Sequence, residues 1–312
     1  MRTKAVIGLD TSNYTTSCAI CNTEGKILEN IKILLPVKAG EKGLRQSDAV
    51  FSHIKNFQKV SDILKEKQCT YEFIAIGYSA YPRDNEGSYM PCFLVGQAIA
   101  EMVSALLNIP SYRFSHQGGH IQAALYSGCA DLSEDFVAFH VSGGTTEVLY
   151  VSPDTNGFKI NKIGCCNDLH AGQVIDRVGV SLGLNFPCGR AMEELALEYG
   201  DSIPKPKTSV EGFSCNLSGL ENLAKKLFIQ TNSPHATSRY VFEFIADTII
   251  KITGNLRNTY KNIPIVYAGG VMSNSLIKNK IQSSFKNVYF AKPEFSTDNA
   301  SGVALLTLKK LN

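Results

Sequence analysis

Two imidazoles four residues apart, His116 and His120, stand in Ser115-His116-Gln117-Gly118-Gly119-His120-Ile121-Gln122-Ala123-Ala124-Leu125, where the sequence turns helical. On a helix, residues at that spacing share a face, so both rings can grip one metal ion. A third ligand must come from elsewhere in the chain; the competing reading is two histidines that happen to share a solvated helix face. Gly118 and Gly119 are poor helix formers, and a pair of them in a first turn implies that something approaches the backbone closely. Asp298 is the best-placed carboxylate to complete a His/His/Asp set. It lies in Phe295-Ser296-Thr297-Asp298-Asn299-Ala300-Ser301-Gly302, which feeds the last helix, and its competing use is to cap that helix.

Small-residue turns offer a second chemistry. Ser142-Gly143-Gly144-Thr145-Thr146 stands between two strand-like runs. The backbone N–H groups of such a hairpin can cradle phosphate, because small residues let the oxygens approach, although an ordinary tight turn has the same composition. Ile265 to Ser275 runs a buried strand through Gly269-Gly270 into a helix, so helix-terminal N–H groups and the Asn274 amide can meet a ligand. The alternative there is a βα turn in which the glycines serve tight packing.

The elements that must position these residues repeat. Strand Ala5 to Asp10, polar turn Thr11 to Thr16, strand Ser17 to Asn22 and strand Ile27 to Leu34 read as an antiparallel meander. Phe136 to Val141, the glycine turn, Glu147 to Val151 and Lys159 to Ile163 repeat that pattern downstream, so the chain contains one unit twice. Helices are expected at Ser52 to Lys67 and Leu94 to Leu107 in the first half. In the second they are expected at Gly172 to Gly183, Ala191 to Tyr199, Leu217 to Leu227 and Arg239 to Thr259. Further strands are expected at Phe73 to Gly77, Ser111 to Phe114, Pro264 to Ala268 and Asn287 to Ala291, and this alternation predicts α/β architecture in both halves. Two duplicated lobes with a glycine- and hydroxyl-rich hairpin facing a cleft describe the ribonuclease-H-like layout of actin, Hsp70 chaperones and sugar kinases. The expected lobes are 1–130 and 131–312, the second with a helical insertion around 165–235.

The chain has 312 residues, 44% of them hydrophobic, more than one compact core usually holds. Net charge is +3 and the pI about 8.3, which permits contact with nucleic acid without announcing it. No apolar run reaches membrane-spanning length and no signal-peptide pattern opens the chain, so a cytoplasmic protein without membrane contact is expected. Its nine cysteines are then expected as reduced thiols. Cys18 and Cys21 lie three apart on a strand and face opposite sides, which makes them a poor metal clamp. Cys165-Cys166 has no second pair at ribbon-like spacing.

Several motifs in one order carry a resemblance. Gly8-Leu9-Asp10-Thr11-Ser12 is followed by Leu94-Val95-Gly96, Asn108-Ile109-Pro110 and His116-x-x-x-His120. Val141-Ser142-Gly143-Gly144, Asp176, Phe186-Pro187-Cys188-Gly189, Leu217-Ser218-Gly219-Leu220, Gly269 to Asn274 and Thr297-Asp298-Asn299 complete the series. Nearly the whole chain resembles the tRNA threonylcarbamoyladenosine transferase family (TsaD), once described as glycoprotein endopeptidases. The resemblance implies His116, His120 and Asp298 as ligands of one divalent ion, iron or zinc. It implies His140, Val141, Ser142, Gly143 and Gly144, with Asp176, Gly189, Glu193 and Asn274, as contacts to an adenine nucleotide and its threonylcarbamoyl group. The implied activity is an acyl transfer from threonylcarbamoyl-AMP to N6 of an adenosine in tRNA, with accessory proteins of that pathway as partners.

The chain departs from the family pattern in three places. Tyr81 to Pro91 is longer and more charged than the family's Gly-Pro-Gly loop, Thr145 follows Ser-Gly-Gly in place of His or Asn, and Gly164 to Asp176 lacks both glutamates of the family motif. A non-catalytic paralogue that binds nucleotide and metal, or a transferase with another acceptor, is the alternative these departures leave open. A metallopeptidase is disfavoured, because Gln117 stands where His-Glu-x-x-His has its general base.

Overall fold

A computed structural model of the chain describes residues 2–36, 44–67, 70–128, 130, 132–155 and 157–311. The elements are β1 (Thr3–Ser12), β2 (Thr15–Asn22), β3 (Ile27–Leu34), α1 (Gln46–Lys67), β4 (Tyr71–Tyr81), α2 (Phe93–Leu107), β5 (Ser111–Ser115) and α3 (His116–Ser127). There follow β6 (Phe136–Val141), β7 (Thr146–Asp154), β8 (Gly157–Cys165), α4 (Ala171–Ser181), α5 (Gly189–Glu198), β9 (Ser209–Glu211), β10 (Ser214–Asn216) and α6 (Ser218–Thr231). The chain continues with α7 (Pro234–Thr259), β11 (Ile265–Ala268), α8 (Ser275–Ser284), β12 (Val288–Phe290), α9 (Pro293–Ser296) and α10 (Ser301–Lys309).

They form two compact units, one of Met1–Ser127, Pro153–Lys159 and Thr297–Asn312, the other of Gly128–Ser152 and Ile160–Ser296. The first contains a five-stranded sheet in the order β3-β2-β1-β4-β5, with β1 antiparallel to β2, β2 antiparallel to β3, and β4 parallel to both β1 and β5. Central β1 is buried from Ala5 to Ser12 because both its faces are covered. Ile7 and Leu9 pack with Phe57 and Val60 of α1 and Val95 and Ala100 of α2. Val6 packs on the other face with Ala300, Ala304, Leu305 and Leu308 of the α10 segment. Cys18 and Cys21 fall in those two opposite clusters, as their strand spacing requires.

That last helix was expected in the second lobe and instead belongs to the first unit, since its small residues lie on the β1 face. It also explains the glycine pair of α3. A Cβ on Gly302 would stand 1.8 Å from the Gly119 carbonyl oxygen, and one on Gly119 would stand 3.1 Å from Val303. The close approach foreseen at Gly118-Gly119 is therefore made by the chain's own α10. Asp131, the expected start of the second lobe, lies outside the described residues.

The second unit repeats the strand order as β8-β7-β6-β11-β12, with β6 antiparallel to β7 and β11 parallel to both β6 and β12. Its core gathers around α7, whose start is fixed by Pro234 at the first turn and by the Ser233 hydroxyl accepting from Ala236 N at 3.1 Å. Between β8 and α7 lie α4, α5, the β9–β10 hairpin and α6; that hairpin gave no signal in the sequence. Among the described residues no helix is long and apolar enough to cross a membrane.

Candidate metal centre and phosphate-binding turn

In the first unit β5 passes into α3 without a loop, so His116 begins the helix and His120 stands one turn on. The segment before α10 supplies Asp298; the N-cap of that helix is Ala300, which gives no side-chain cap, and Asn299 Oδ1 accepts from Ser301 N at 3.0 Å. The three side chains converge, with one ligand atom from each lying within 4.8 Å of the others. His120 Nε2 is 3.0 Å from His116 Nε2 and 3.3 Å from Asp298 Oδ1, and His116 Nε2 is 3.8 Å from the same oxygen.

Behind them stands Asp10, at the end of β1 and almost fully buried. Its Oδ2 takes His116 Nδ1 at 2.8 Å and the Ser79 hydroxyl, and its Oδ1 accepts from Ser12 N at 3.0 Å. A carboxylate on Nδ1 fixes the ring so that Nε2 turns toward the other two ligands, which is how metal-binding histidines are usually oriented. Two imidazole nitrogens and one carboxylate suit iron or zinc by ligand type. Burial opposes charge at His116, but the neighbouring Asp10 prevails and raises it to about 9. Burial likewise works against the Asp10 carboxylate, yet the His116 charge and hydrogen bond hold it below its ordinary value. Asp298 follows the same rule: burial opposes its charge, and the His120 hydrogen bond with the His116 charge keeps it well below the usual carboxylate range.

The Tyr81–Pro91 segment is tied to the first turn of α3. Gln117 N donates to Pro82 O at 3.1 Å, the Ser115 hydroxyl donates to Asp84 Oδ2 at 2.5 Å, and Gly118 N donates to that hydroxyl at 3.0 Å.

In the second unit the turn between β6 and β7 closes with Ser142 N donating to Thr145 O at 2.7 Å. A Cβ built on Gly143 or Gly144 meets nothing within 4 Å and both residues are exposed, although the Gly143 N side lies against Gly172, where a Cβ would stand 2.7 Å from it. Neither glycine has positive φ, which removes backbone strain as the reason for them and leaves space. The start of α4 is bound to this turn through Gly172 N to Ser142 O at 3.2 Å and Ala171 N to Thr146 Oγ1 at 3.0 Å. His140 and Val141 end β6, where His140 pairs with Ala268 of β11 and leads the turn to the Gly269–Asn274 segment.

The remaining expected contacts fall into two local sets. Asp176 on α4 accepts from Cys188 N at 2.8 Å, beside Gly189, and burial pushes its carboxyl up. Glu193 on α5 accepts from Ser275 N at 2.7 Å and from the Ser275 hydroxyl at 2.6 Å, so it holds the start of α8. Asn274 caps α8 with its Oδ1, 3.1 Å from Ile277 N, while its buried Nδ2 has no hydrogen-bond partner among the described residues. A buried amide N–H without a partner is costly.

Two further residues carry roles that sequence reasoning passed over. Asp10 was quoted within a motif and given no task, although an acidic residue in an otherwise apolar central strand is itself the signal. Asp168 accepts from Leu169 N, Leu217 N, Ser218 N and the Ser218 hydroxyl at 2.6–3.0 Å and thereby holds the start of α6. No spacing signal joins it to residues so far along the chain.

Fold and sites together define an α/β protein of the actin, Hsp70 and sugar-kinase type. Solved structures agree on the fold: T. kodakarensis HypF has a TM-score of 0.61 at 12% identity, covering 99% of this chain and 48% of that one, so the chain spans about half of HypF. A ROK family glucokinase from Streptomyces griseus, solved with glucose and AMPPNP, has a TM-score of 0.53 at 13% identity over 97% of this chain and 99% of that one. The profile of "TsaD: tRNA N6-adenosine threonylcarbamoyltransferase" matches residues 40–305, and the chain belongs to this family of acyltransferase enzymes. Relatives of that name include one from Kosmotoga olearia, 35% identical over 70% of this chain and 67% of its own length. Another, from Thermosipho africanus, is 29% identical over 97% and 93%.

Proposed function

We propose that the chain transfers the threonylcarbamoyl group from threonylcarbamoyl-AMP to N6 of an adenosine in tRNA, in the cytoplasm and with accessory proteins of that pathway. The observation that carries this reading is the convergence of His116, His120 and Asp298 in front of a buried, hydrogen-bonded Asp10. These three residues would hold one iron or zinc ion, which supplies Lewis-acid polarisation of the acyl carbonyl when bound. Asp10 keeps the His116 ring oriented through its Nδ1. In the second unit the Gly143 and Gly144 peptide groups receive the phosphate, and its charge is stabilised as the adenylate departs. The Asn274 Nδ2 donates to the nucleotide. Glu193 supports this indirectly by fixing α8, from which Asn274 projects.

A non-catalytic nucleotide-binding paralogue is the second reading, favoured by the replacement of both motif glutamates in Gly164–Asp176. The test is to incubate tRNA with threonylcarbamoyl-AMP, the metal-loaded chain and its host's accessory proteins, then to analyse nucleosides by mass spectrometry. Threonylcarbamoyladenosine is expected. Donor binding without any modified adenosine would leave the second reading in place.

A further inference from the structure

In the Gly164–Asp176 stretch Cys166, next to Cys165, acquires a partner in the fold. Cys166 and Cys215 form an isolated parallel β-bridge between the end of β8 and β10. Paired residues on neighbouring strands lie about 4.8 Å apart, inside the Cα span of about 4.4–6.8 Å that disulfides use. Partners in a bridge point their side chains to the same face of the strand pair, which sets the two thiols side by side. Cys166 Sγ in turn donates to Leu169 O at 2.9 Å. Both residues are buried, whereas Cys165 is half-exposed, and Cys165 and Cys215 line one small cavity with Thr146, Phe213 and Leu217.

From this geometry we infer that Cys166 and Cys215 are a covalent modification site, a thiol pair that a small peroxide converts to a disulfide. Cys166 reacts first: the neighbouring Cys215 draws its thiol below the ordinary value, against burial and the Asp168 carboxylate 3.2 Å from its sulfur, whereas the Cys215 thiol is pushed far above its own. The Cys166 thiolate attacks one oxygen of hydrogen peroxide, the O–O bond breaks, and hydroxide leaves to give a sulfenic acid. Cys215 sulfur then attacks the Cys166 sulfur, the S–O bond breaks, and the departing hydroxide takes the Cys215 proton as water. Two thiols and one peroxide thus become one disulfide and two waters.

The bond would act on the phosphate-binding turn. Cys166 N donates to Thr146 O at 2.9 Å and Asn167 N to Cys215 O at 3.0 Å, while Ala171 N binds the Thr146 hydroxyl. Oxidation withdraws the Cys166 S–H from Leu169 O and ties β10 covalently to the segment that seats α4 on the turn.

Treating the purified full chain with hydrogen peroxide, blocking remaining thiols, and mapping peptides tests this directly without any substitution. The expected result is a peptide pair joined through Cys166 and Cys215, the loss of two free thiols per chain, and reversal by dithiothreitol. Cys165→Ala should retain the link, whereas Cys166→Ala and Cys215→Ala should each abolish it. Peroxide products confined to Cys165, a Cys165–Cys215 link, or full alkylation of Cys166 and Cys215 after treatment would each overturn the assignment.

Discussion

The turn between β1 and β2 and the turn between β6 and β7 occupy the same place in two sheets of the same strand order, yet they present opposite chemistry. In the first unit the strand end carries a buried carboxylate whose oxygens are already engaged by Ser12 N, Ser79 and His116. In the second unit the turn carries no side-chain charge, and its two glycines border open space. The first arrangement suits a cation, with donors already oriented; the second, uncharged and bordered by open space, suits an anion. One backbone topology thus carries two opposite chemistries, and the difference lies in which residue types stand at the strand ends.

The sharpest way to break this contrast is to remove the cation ligands. His116→Ala and His120→Ala are expected to abolish metal binding, since either leaves two of the three ligands. After chelator treatment His120→Ala should melt close to chelated wild type, whereas His116→Ala should melt lower, because it leaves the buried Asp10 carboxylate without its ring partner. Elemental analysis checks the first expectation and thermal unfolding the second; stoichiometric metal in both variants would refute the site.

On the anion side, Gly143→Val places a branched side chain where the turn now borders open space. Loss of one or two charge-assisted hydrogen bonds to phosphate corresponds to about a hundredfold in Kd. Titration calorimetry with AMP or a non-hydrolysable ATP analogue measures it, and metal content should not change. An unaltered Kd would move the phosphate away from this turn.

Asp10→Asn probes the link between strand end and metal ligand with a smaller change. Loss of such an orienting carboxylate typically lowers metal affinity by about 10–100-fold. Competition with a chromophoric chelator would read it, and nucleotide affinity should be unaffected. An equal loss of nucleotide binding would show that the substitution disturbs more than the His116 ring.

The sequence made the architecture legible because hydrophobic periodicity is local. The first meander, the repeat at Phe136, and most helices followed from patterns that each segment carries within itself. The His/His spacing was legible for the same reason, and Asp298 was added as the carboxylate of the loop feeding the last helix, a position the family resemblance also implies. What stayed hidden depends on contacts between distant segments. Gly119 faces Gly302, Asp168 holds Ser218, and Cys166 meets Cys215, none of which has a periodic signature. The same limit explains α10: its apolar run predicts burial, but only the tertiary structure shows that it lies on the first sheet.

Glu193 separates the two explanations of the second unit's polar residues, and it does so with the smallest expected effect. Sequence resemblance implies a ligand contact, whereas its carboxylate holds Ser275 N and the Ser275 hydroxyl at the start of α8. Glu193→Gln keeps size and shape but weakens a charge-assisted cap, an effect worth about 1 kcal/mol. If capping is its task, thermal unfolding should show a fall of a few degrees while nucleotide Kd changes by no more than about twofold, the size of that cap's partial transmission through Asn274. If Glu193 instead contacts the nucleotide, the pattern inverts: melting temperature holds and Kd rises by about tenfold, since the amide adds a donor where the carboxylate had an acceptor. The neighbouring Asn274→Ala supplies the scale, because it removes both the cap to Ile277 N and the buried Nδ2, and should therefore lower stability and nucleotide affinity together. A Glu193→Gln profile that matched Asn274→Ala in both measurements would mean that cap and ligand contact are one device, and the two strand-end chemistries would then differ less in the second unit than its hydrogen bonds indicate.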